Sequence, residues 1–555
     1  MAMKQTKATS LVVLSAALLF VTACSDKKET AQPSASPAAT ATAQAAVNPL
    51  GKYDPPIEVT AVRSLSVSTK FRDGESIENN VWSRAYEQRL GIKVKYLWTA
   101  NAGDYAQKLN VSIASGELAD IMQVDATQLK QLVDSGQAED LTALFEKYAS
   151  PLAKKIVTED GRQMKAATYG GKLMAIPRTG SPSDSSQVLW VRADWLKKLN
   201  LPEPKTMQDV FQISEAFTKQ DPDGNKVDDT FGLALTNALQ ASGIASLKPF
   251  FNGFHAYVDH WIQDSSGRLV SGSIQPEVKT ALAKLQEMYR AGQIDREFAV
   301  KDVAKVNEQI IAGKIGMQFG AWYTANTPLQ GSKNQDPTAD WRAYGLPSID
   351  STPASLQIDM PVTQYFVVKK GAKNPEAAIK MLNLMVELGF SENANIEQYF
   401  IGKDGFLYNT YPLLFVSPVN GNLNIHLHLT QALAAKDPSK LNLEEKGYYD
   451  KIIDYRNGNT KNFYEEGMYG NVSAWPYVKD KLDNKLVKEQ QFFGAPTKTM
   501  SQKGAILSKM MLETFTKIIM GESPVDDFDK FVADWHKLGG DDITKEVNEW
   551  AAQQK

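Results

Sequence analysis

The sequence predicts an α/β fold with more than one domain. Between residues 57 and 125, short alternating segments typical of strands are separated by segments with helical spacing of apolar residues. The same order returns between residues 188 and 383. A chain of 555 residues is also longer than one hydrophobic core normally organises. We therefore expect two or three domains, at least two of them built on largely parallel sheets.

The first α/β unit is defined by glycine stops and alternating strands. Its expected elements are a strand over 57–62, a helix over 80–90 stopped by Gly91, a strand over 92–96, a helix capped by Asp104 and ended by Gly116, and a short apolar strand over 120–125. Three strands and two helices in fewer than 70 residues are typical of a parallel α/β sheet.

The later segments repeat this pattern. We expect a strand over 188–192, a helix capped by Thr206 with Asp209 at the capping-box position, strands over 314–320 and 365–368, a helix opened by Asn374-Pro375-Glu376, and a mostly helical final hundred residues. No short fixed repeat occurs, which argues against a solenoid.

Composition and charge exclude several classes of partner. The chain is 43% apolar and 23% charged, with a formal net charge of -3. Such a balance offers no overall basic field, so we expect no nucleic-acid partner and no electrostatic binding to anionic lipid. The single cysteine allows no internal disulfide. We expect a monomer.

The N-terminus has the order of a signal peptide. Lys4 and Lys7 precede an apolar run from Leu11 to Ala23, which is too short to span a bilayer of about 30 Å. Val21-Thr22-Ala23-Cys24 resembles the lipobox of bacterial lipoproteins, which implies cleavage after residue 23 and fatty acylation (palmitate) of Cys24. The alternative is an ordinary secretory signal with an incidental cysteine. The lipobox places the protein on the outer face of the cell membrane, held there by its lipid.

A low-complexity stretch separates this anchor from the folded sequence. Residues 25–56 are rich in Ala, Thr, Ser, Gln and Pro and carry few large apolar side chains. Such a composition cannot bury enough surface to offset the entropy of ordering. We expect residues 24–56 to form a lipidated, flexible tether, and the alternative is a disordered segment without a role.

Several segments in this order resemble one family. They are Tyr105–Asp125, Tyr169–Arg178, Leu189–Leu201, Gly316–Trp322, Tyr365–Asn383 and Gly494–Trp550. Together, behind a lipobox, they are similar to the extracellular solute-binding lipoproteins (family 1) of carbohydrate ABC importers, in the large form found in Gram-positive bacteria. The resemblance implies a saccharide ligand, and the length beyond 500 residues favours an oligosaccharide. It also implies delivery of that ligand to ABC permease subunits.

The resemblance implies a two-lobed, periplasmic-binding-protein-like α/β fold of class II. Its hinge consists of two or three crossovers, and the ligand lies in the cleft between lobes. Mapped by order, the crossovers fall near Ile176–Thr179, Pro361–Tyr365 and Phe493–Thr497. One lobe then comprises residues 57–177 plus 366–492, and the other 178–365 plus 493–555.

An acidic loop follows the helix of the middle segment. Asp221, Asp223, Asn225 and Asp229 place oxygen-bearing side chains at alternating positions, and Val227 can offer its carbonyl. Hard cations take six to eight oxygen ligands from tightly turning loops. The loop resembles the calcium loop of some large solute-binding proteins, which implies structural Ca²⁺. Thr230 stands where that pattern has an acid, and the alternative is a solvated turn without metal.

A sugar presents apolar C–H faces and a rim of hydroxyls, so its site needs aromatic platforms and a few polar groups. Trp322 and Tyr323 follow a glycine-rich strand end, where ligands bind in open α/β sheets. The full set of candidate ligand-binding residues is Trp82, Asp125, Arg178, Trp261, Trp322, Tyr323, Tyr469 and Trp475. For each of them core packing, a helix cap or a hinge ion pair is the alternative.

Catalytic motifs are missing from the sequence. It has no GxSxG, HExxH or GxxxxGK[ST], and its five histidines include one close pair, His426 and His428, which we expect on one face of a strand. We therefore predict a binding protein without catalytic residues. Two alternatives stay open: a binding protein for a peptide or organic anion, and a secreted glycoside hydrolase or lyase.

Overall fold

A computed structural model describes residues 48–65, 69–240, 243–362, 364–402 and 406–554. The described residues contain two separate hydrophobic cores. We call the residues around the first core lobe 1; they run from Val59 to Ile176 and from Val362 to Val416. Lobe 2 surrounds the second core, with residues from Val188 to Leu356 and from Leu423 to Val547.

The strands are short, except for the first two. They are β1 (Ile57–Leu65), β2 (Ile92–Asn101), β3 (Ile121–Val124), β4 (Thr168–Tyr169), β5 (Lys172–Leu173), β6 (Ile176–Pro177), β7 (Gln187–Arg192), β8 (Phe231–Leu233), β9 (Trp261–Gln263), β10 (Leu269–Ser271), β11 (Ile315–Ala321), β12 (Trp341–Tyr344), β13 (Leu356–Ile358), β14 (Tyr365–Val368) and β15 (Val487–Glu489).

The helices of the first half are α1 (Val81–Ala85), α2 (Ala102–Ser115), α3 (Ala126–Asp134), α4 (Thr142–Tyr148), α5 (Pro151–Thr158), α6 (Gly161–Ala166), α7 (Ala193–Lys198), α8 (Met207–Lys219), α9 (Lys248–Gly253) and α10 (Pro276–Arg290). Those of the second half are α11 (Val303–Ile311), α12 (Leu329–Gln335), α13 (Ala377–Phe390), α14 (Ile396–Tyr399), α15 (Gly421–Ala435), α16 (Leu443–Arg456), α17 (Phe463–Tyr469), α18 (Trp475–Asp483), α19 (Lys498–Met520), α20 (Asp527–Trp535) and α21 (Asp541–Gln553).

Each lobe is built on one mixed sheet. In lobe 1 the strand order is β2-β1-β3-β14-β6, in which β1 runs parallel to β2 and β3 while β14 runs antiparallel to its neighbours. In lobe 2 the order is β12-β7-β11-β8, with β11 antiparallel to β7 and parallel to β8. The predicted α/β class is therefore confirmed, as is the two-lobed arrangement.

Among the described residues, the chain passes between the two cores at residues 178–186, 359–361 and 417–422. The first two passages adjoin the crossovers expected near Ile176–Thr179 and Pro361–Tyr365. The third differs from the expected passage near 493–497, because α15 to α18 pack into lobe 2 through side chains such as Leu429, Ile452 and Trp475. Residues 423–482 are thus packed differently from the expected division, which assigned 366–492 to lobe 1. The exact domain limits stay a prediction.

The end of the expected tether is packed against lobe 1. The hydroxyl of Tyr53 donates to Glu376 at 2.7 Å, and the ammonium of Lys380 donates to the carbonyl of Gly51 at 2.7 Å. Tyr53 and Leu50 supply the apolar surface that the rest of the stretch lacks. Cys24, the expected signal peptide over 1–23 and residues 25–47 lie outside the described residues. No helix among the described residues is long and apolar enough to cross a membrane.

Two local predictions need correction. Helix α2 begins one turn earlier than expected, because Asn101 and not Asp104 caps it by accepting from the N–H groups of Gly103 and Asp104. His426 and His428 lie in helix α15 and not in a strand. His426 is buried against the carbonyl of Tyr469, and His428 bonds Glu445 at 2.7 Å, so each imidazole has a structural partner.

Candidate functional site

One edge of each sheet adjoins the first passage between the lobes. In lobe 1, β6 ends at Pro177 directly before this passage, and Tyr365 at the start of β14 pairs with Pro177. In lobe 2, β7 begins at Gln187 directly after it, and Ala321 at the end of β11 pairs with Gln187. We call these the lobe 1 edge and the lobe 2 edge, and the space they border is the cleft.

The lobe 1 edge carries a chain of polar side chains. The amide oxygen of Gln364 accepts from Gln123 Nε2 and from Arg178 Nη1, each at 2.6 Å. The carbonyl of Gln123 in turn accepts the hydroxyl of Tyr105 at 2.8 Å, and Tyr105 packs on Trp98 with ring centroids 5.5 Å apart. Because the amides hold one another, the row from Trp98 to Arg178 is fixed in position.

Two arginines lie at the same edge. Arg63, near the end of β1, donates from Nη1 to the carbonyl of Tyr411 at 2.6 Å and from Nη2 to that of Thr410. Arg178 has an exposed side chain whose guanidinium lies 5.7 Å from the ring of Phe415. Desolvation by the surrounding protein lowers the pKa of Arg178, and the positive charge of Arg63 lowers that pKa further.

Asp125 is an exposed residue of this edge, directly after β3, and it also caps a helix. Its Oδ1 accepts from the backbone N–H of Gln128 at 2.8 Å, and the Gln128 side chain accepts from the N–H of Asp125, which completes a capping box for α3. The structure therefore shows the helix cap that was the alternative to a ligand contact. The second carboxylate oxygen leaves a ligand contact open as well.

The lobe 2 edge is aromatic. Trp322 and Tyr323 open a short 3-10 turn directly after β11. Trp322 is half-buried and packs on Tyr469 and Trp475 with centroids 5.6 and 5.5 Å away, while Tyr323 is 41% exposed. The indole Nε1 of Trp322 has no hydrogen-bond partner among the described residues. This Nε1 atom is itself buried. The pair therefore offers an aromatic surface, which is what a sugar site needs, but no exposed indole donor.

A hydrogen-bonded row connects the first passage to these aromatics. Asp184, in the passage, accepts from Asn422 Nδ2 at 2.7 Å, and the amide oxygen of Asn422 accepts the hydroxyl of Tyr469 at 2.8 Å. Burial raises the pKa of the Asp184 carboxyl, while the hydrogen bond from Asn422 opposes this rise. Because Trp322 packs on the ring of Tyr469, this hydrogen-bonded row connects the passage to the aromatic surface.

Three other predicted ligand-binding residues are Trp82, Trp475 and Trp261. Trp82 is fully buried in lobe 1, and its Nε1 donates to the carbonyl of Tyr399 at 2.8 Å. Trp475 is fully buried beneath Trp322. Trp261 lies in β9, and its backbone bonds Gln490 and Gln491, next to β15. Because Trp82 and Trp475 have no accessible surface and Tyr469 is only 2% exposed, we do not count these three as ligand contacts.

The acidic loop belongs to lobe 2 and connects α8 to β8. The Asn225 amide nitrogen contacts Asp223 Oδ2 at 2.8 Å and Asp229 Oδ1 at 3.2 Å, and the ammonium of Lys314 lies 2.5 Å from Asp229 Oδ2. The loop's backbone also bonds Asp221, since the N–H of Lys226 donates to its Oδ2 at 3.1 Å. Among the described residues, no three carboxylate, imidazole or thiolate groups converge as a metal site.

Two features of the loop bear on a cation. Asp221 Oδ1 is buried and has no partner among the described residues, and Val227 donates its N–H to Asn225 Oδ1 at 2.6 Å. The hydroxyl of Thr230 donates to the carbonyl of Phe217 at 2.7 Å and is buried, so Thr230 cannot replace the missing acid. The Lys314 ammonium lowers the pKa of Asp229 by a direct hydrogen bond and already balances part of the loop's charge.

The sequence did not predict most of the side chains that form the two edges. Arg63, Trp98, Gln123, Asp184, Gln364 and Asn422 are the main ones. Arg63 and Trp98 lie near the ends of predicted strands, which is a signal that could have identified them. Asn422 and Asp184 come together only through tertiary packing and left no pattern in the sequence.

Comparison with known proteins agrees with this architecture. Lipoprotein LipO from Bacillus subtilis (strain 168) is 23% identical over 477 residues, which cover 84% of this chain and 87% of LipO. The fructooligosaccharide ABC transporter substrate-binding protein FusA from Streptococcus pneumoniae serotype 4 is 25% identical over 337 residues, or 58% of each chain.

Solved structures show the same fold. FusA in complex with kestose superposes with a TM-score of 0.58 at 17% identity, covering 90% of this chain and 99% of FusA. Another FusA structure is that of an EF-hand mutant, with a TM-score of 0.55 at 17% identity, covering 90% of this chain and 99% of that one. The solute-binding protein associated with a human-milk-oligosaccharide (HMO) binding ABC transporter of Bifidobacterium longum infantis gives a TM-score of 0.60 at 17% identity, covering 89% and 98% of the two chains.

The family match covers more than half of the sequence. It extends over residues 68–387, which include most of lobe 1 and the whole of the first lobe 2 segment. Both edges of the cleft fall largely within it. The chain belongs to the family of bacterial extracellular solute-binding proteins.

Proposed function

We propose that this protein binds a saccharide, specifically an oligosaccharide, in the cleft between its lobes. One observation carries the proposal: the aromatic surface of Trp322 and Tyr323 lies at the lobe 2 edge, beside the passage that leads to the polar lobe 1 edge. Aromatic faces bind the apolar faces of sugar rings, and amides and guanidinium groups bind hydroxyls. The oligosaccharide named for FusA supports the same ligand class for this chain.

Binding in this cleft is proposed to close the lobes. A ligand that contacts Trp322 on one side and Arg178 on the other interacts more strongly with the closed form than with the open one, and this difference shifts the balance. The ligand leaves chemically unchanged, because the family consists of solute-binding proteins and the protein acts as a receptor rather than an enzyme. The closed, monomeric protein then docks on the permease subunits of an ABC importer.

Anchoring is proposed to occur through Cys24. The lipobox motif and the name of LipO support a diacylated cysteine after removal of residues 1–23. Residues 25–47 then connect the lipid to the packed segment that begins near residue 48. A Cys24→Ala variant expressed in a Gram-positive host is expected in the medium instead of the membrane fraction. Retention of that variant in the membrane would contradict the anchor.

The binding proposal is tested by thermal-shift screening and calorimetry with neutral and acidic oligosaccharides. A hit is expected to lose about tenfold or more in affinity in Trp322→Ala, which removes the main aromatic face. Trp550→Ala is the matched control, since Trp550 is also a half-buried tryptophan packed on aromatic rings, those of Phe492 and Phe493. Equal loss in both variants, or no loss in Trp322→Ala, would contradict the assignment of the cleft.

We also propose that the acidic loop takes a structural Ca²⁺. The donor chemistry supports it: three aspartates, an amide oxygen and the Val227 carbonyl are the oxygen ligands that Ca²⁺ prefers, and Asp221 Oδ1 is buried without a partner. The EF-hand of FusA gives further support. Bound calcium stabilises the fold of lobe 2 by joining the end of α8 to the loop before β8.

Calcium binding is measured as a change in melting temperature between calcium and a chelator, with magnesium for comparison. We expect calcium to raise the melting temperature and Asp223→Asn to reduce that rise. Lys305→Gln, which removes an exposed charge on α11, is a control expected to keep it. An unchanged melting temperature in calcium would remove the metal from the proposal without affecting the saccharide site.

A further inference from the structure

The two arginines of the lobe 1 edge, one half-buried and one exposed, differ from the buried Arg192 of lobe 2. Arg192 in lobe 2 is 3% exposed and bonds two carboxylates, Asp194 at 2.6 Å and Asp336 at 3.1 Å. Arg63 and Arg178 form no ion pair within the described residues; they donate only to the neutral carbonyl and amide oxygens of Thr410, Tyr411 and Gln364. In the part of the chain that the structure describes, two positive charges are thus held at one edge without a carboxylate bonded to either of them.

Asp125 is an acidic residue of the same edge, but one of its oxygens accepts from the backbone N–H of Gln128 in α3 and neither bonds Arg63 or Arg178. Among the described residues, Arg63 is the charged group that shifts the pKa of Arg178, and its effect is repulsive. An arrangement of like charges in a partly desolvated site becomes favourable when an anion arrives between them or beside them.

The geometry of Arg178 suits a planar anion. Its Nη1 is held by Gln364 at 2.6 Å and its plane lies beside Phe415, which fixes the guanidinium, while Nε and Nη2 have no partner among the described residues. A guanidinium with two free donors on one side binds a carboxylate through two parallel hydrogen bonds, which neutral hydroxyls cannot match in charge. Trp322 and Tyr323 across the passage supply the surface for the ring itself.

Building on the saccharide-binding function proposed above, we propose that the ligand is an acidic oligosaccharide whose uronic acid carboxylate is bound by Arg178. The charge of Arg63, which acts on Arg178, strengthens the positive potential at this edge. The hydroxyls of the sugar are bound by the amides of the lobe 1 edge. In this arrangement lobe 1 binds the carboxylate of the ligand, and lobe 2 binds the apolar faces of its sugar rings.

The test compares trigalacturonate and trimannuronate with the neutral trisaccharides galactotriose and kestose by isothermal calorimetry. We expect an acidic trisaccharide to bind at least about tenfold more tightly than any neutral one, and its affinity to fall between about 0.05 and 0.5 M salt. Arg178→Gln should weaken the acidic ligand about tenfold or more, the scale of one charge-assisted pair, and Arg178→Lys should recover part of it. Arg268→Gln, an exposed arginine of lobe 2, should leave affinity unchanged.

The outcomes separate this inference from the function on which it rests. Equal or tighter binding of a neutral trisaccharide that depends on Trp322 would overturn the acidic ligand and keep the saccharide receptor. Unchanged affinity of the acidic ligand in Arg178→Gln would likewise overturn it, provided that the variant melts like the wild type. Binding of neither class, in this set or in a wider glycan screen, would contradict both proposals.

Discussion

The two edges of the cleft are chemically unlike. The lobe 1 edge is a row of amides and guanidinium groups from Gln123 to Arg178, fixed by short hydrogen bonds, whereas the lobe 2 edge is an aromatic surface of Trp322 and Tyr323 that rests on a buried tryptophan. The difference indicates a division of tasks. We expect polar groups on the first lobe to select a ligand by charge and hydroxyl pattern, and rings on the second lobe to provide contact area whatever the sugar.

The largest expected contrast is between two tryptophan variants, Trp82→Ala in the core of lobe 1 and Trp322→Ala at the lobe 2 edge. Trp82→Ala should cost about 3–5 kcal/mol of unfolding free energy, because it deletes a fully buried side chain and its hydrogen bond to the Tyr399 carbonyl. Ligand affinity measured on the folded fraction should stay within about twofold. Trp322→Ala should instead lower ligand affinity about tenfold or more and reduce the free energy of unfolding less than Trp82→Ala does. Denaturant unfolding and calorimetry on both variants check this, and a large loss of affinity in Trp82→Ala would place Trp82 in the site after all.

A substitution of Gly243 should reduce ligand affinity at the lobe 2 edge less than Trp322→Ala does. A Cβ at this position would lie 1.9 Å from the hydroxyl oxygen of Tyr323, so Gly243→Ala must displace that ring. We expect affinity to fall about three- to tenfold, the scale of one aromatic contact of about 0.5–1.5 kcal/mol. Calorimetry measures this fall.

Gly504→Ala is the matched control for that variant. Gly504 lies inside α19 with no atom within 4 Å of its added Cβ, so alanine should stabilise the helix by about 0.5–1 kcal/mol and leave binding unchanged. If Gly243→Ala binds as well as the wild type, the exposed face of Tyr323 is not part of the ligand surface.

The smallest expected effect is that of Asp184→Asn on the pH dependence of the melting temperature. The burial of Asp184 determines its sign. Because burial raises the pKa of its carboxyl in the folded protein, this group favours folding below the ordinary carboxyl pKa and loses that contribution as pH rises through the raised pKa. Asp184→Asn removes this loss. The melting temperature of the variant relative to wild type should therefore increase between about pH 4 and pH 7. A relative decrease over this range would show that the ionised carboxylate stabilises the passage.

Sequence patterns predicted the fold well where periodicity and caps are local. The Thr206–Asp209 capping box, the stop at Gly91 and the strand before Trp322 all occur as expected. The pair His426 and His428 was assigned to a strand because two alternating residues cannot distinguish strand from helix. The third passage was misplaced because the packing of α15 to α18 into lobe 2 depends on contacts between distant segments.

The site was predictable only in part, for a physical reason. The position of Trp322 and Tyr323 at the lobe 2 edge could be predicted because they follow a strand end, and ligands of open α/β sheets bind at strand ends; that they contact the ligand stays a prediction. Trp82 could not be separated from them, since an aromatic residue near a helix start has the same sequence signature whether it is buried or exposed. Asn422 acquires its position from Asp184, which is 238 residues away along the chain.

A crystal structure of the protein with a trisaccharide selected by the thermal-shift screen would show where the ligand binds. We expect an intact sugar between the lobes, with one ring against Trp322 and polar contacts to Arg178. A sugar bound elsewhere would contradict it, for instance in the cavity of about 660 Å³ lined by Phe492, Phe493 and Trp550. Electron density for a cleaved sugar in the cleft would contradict it as well.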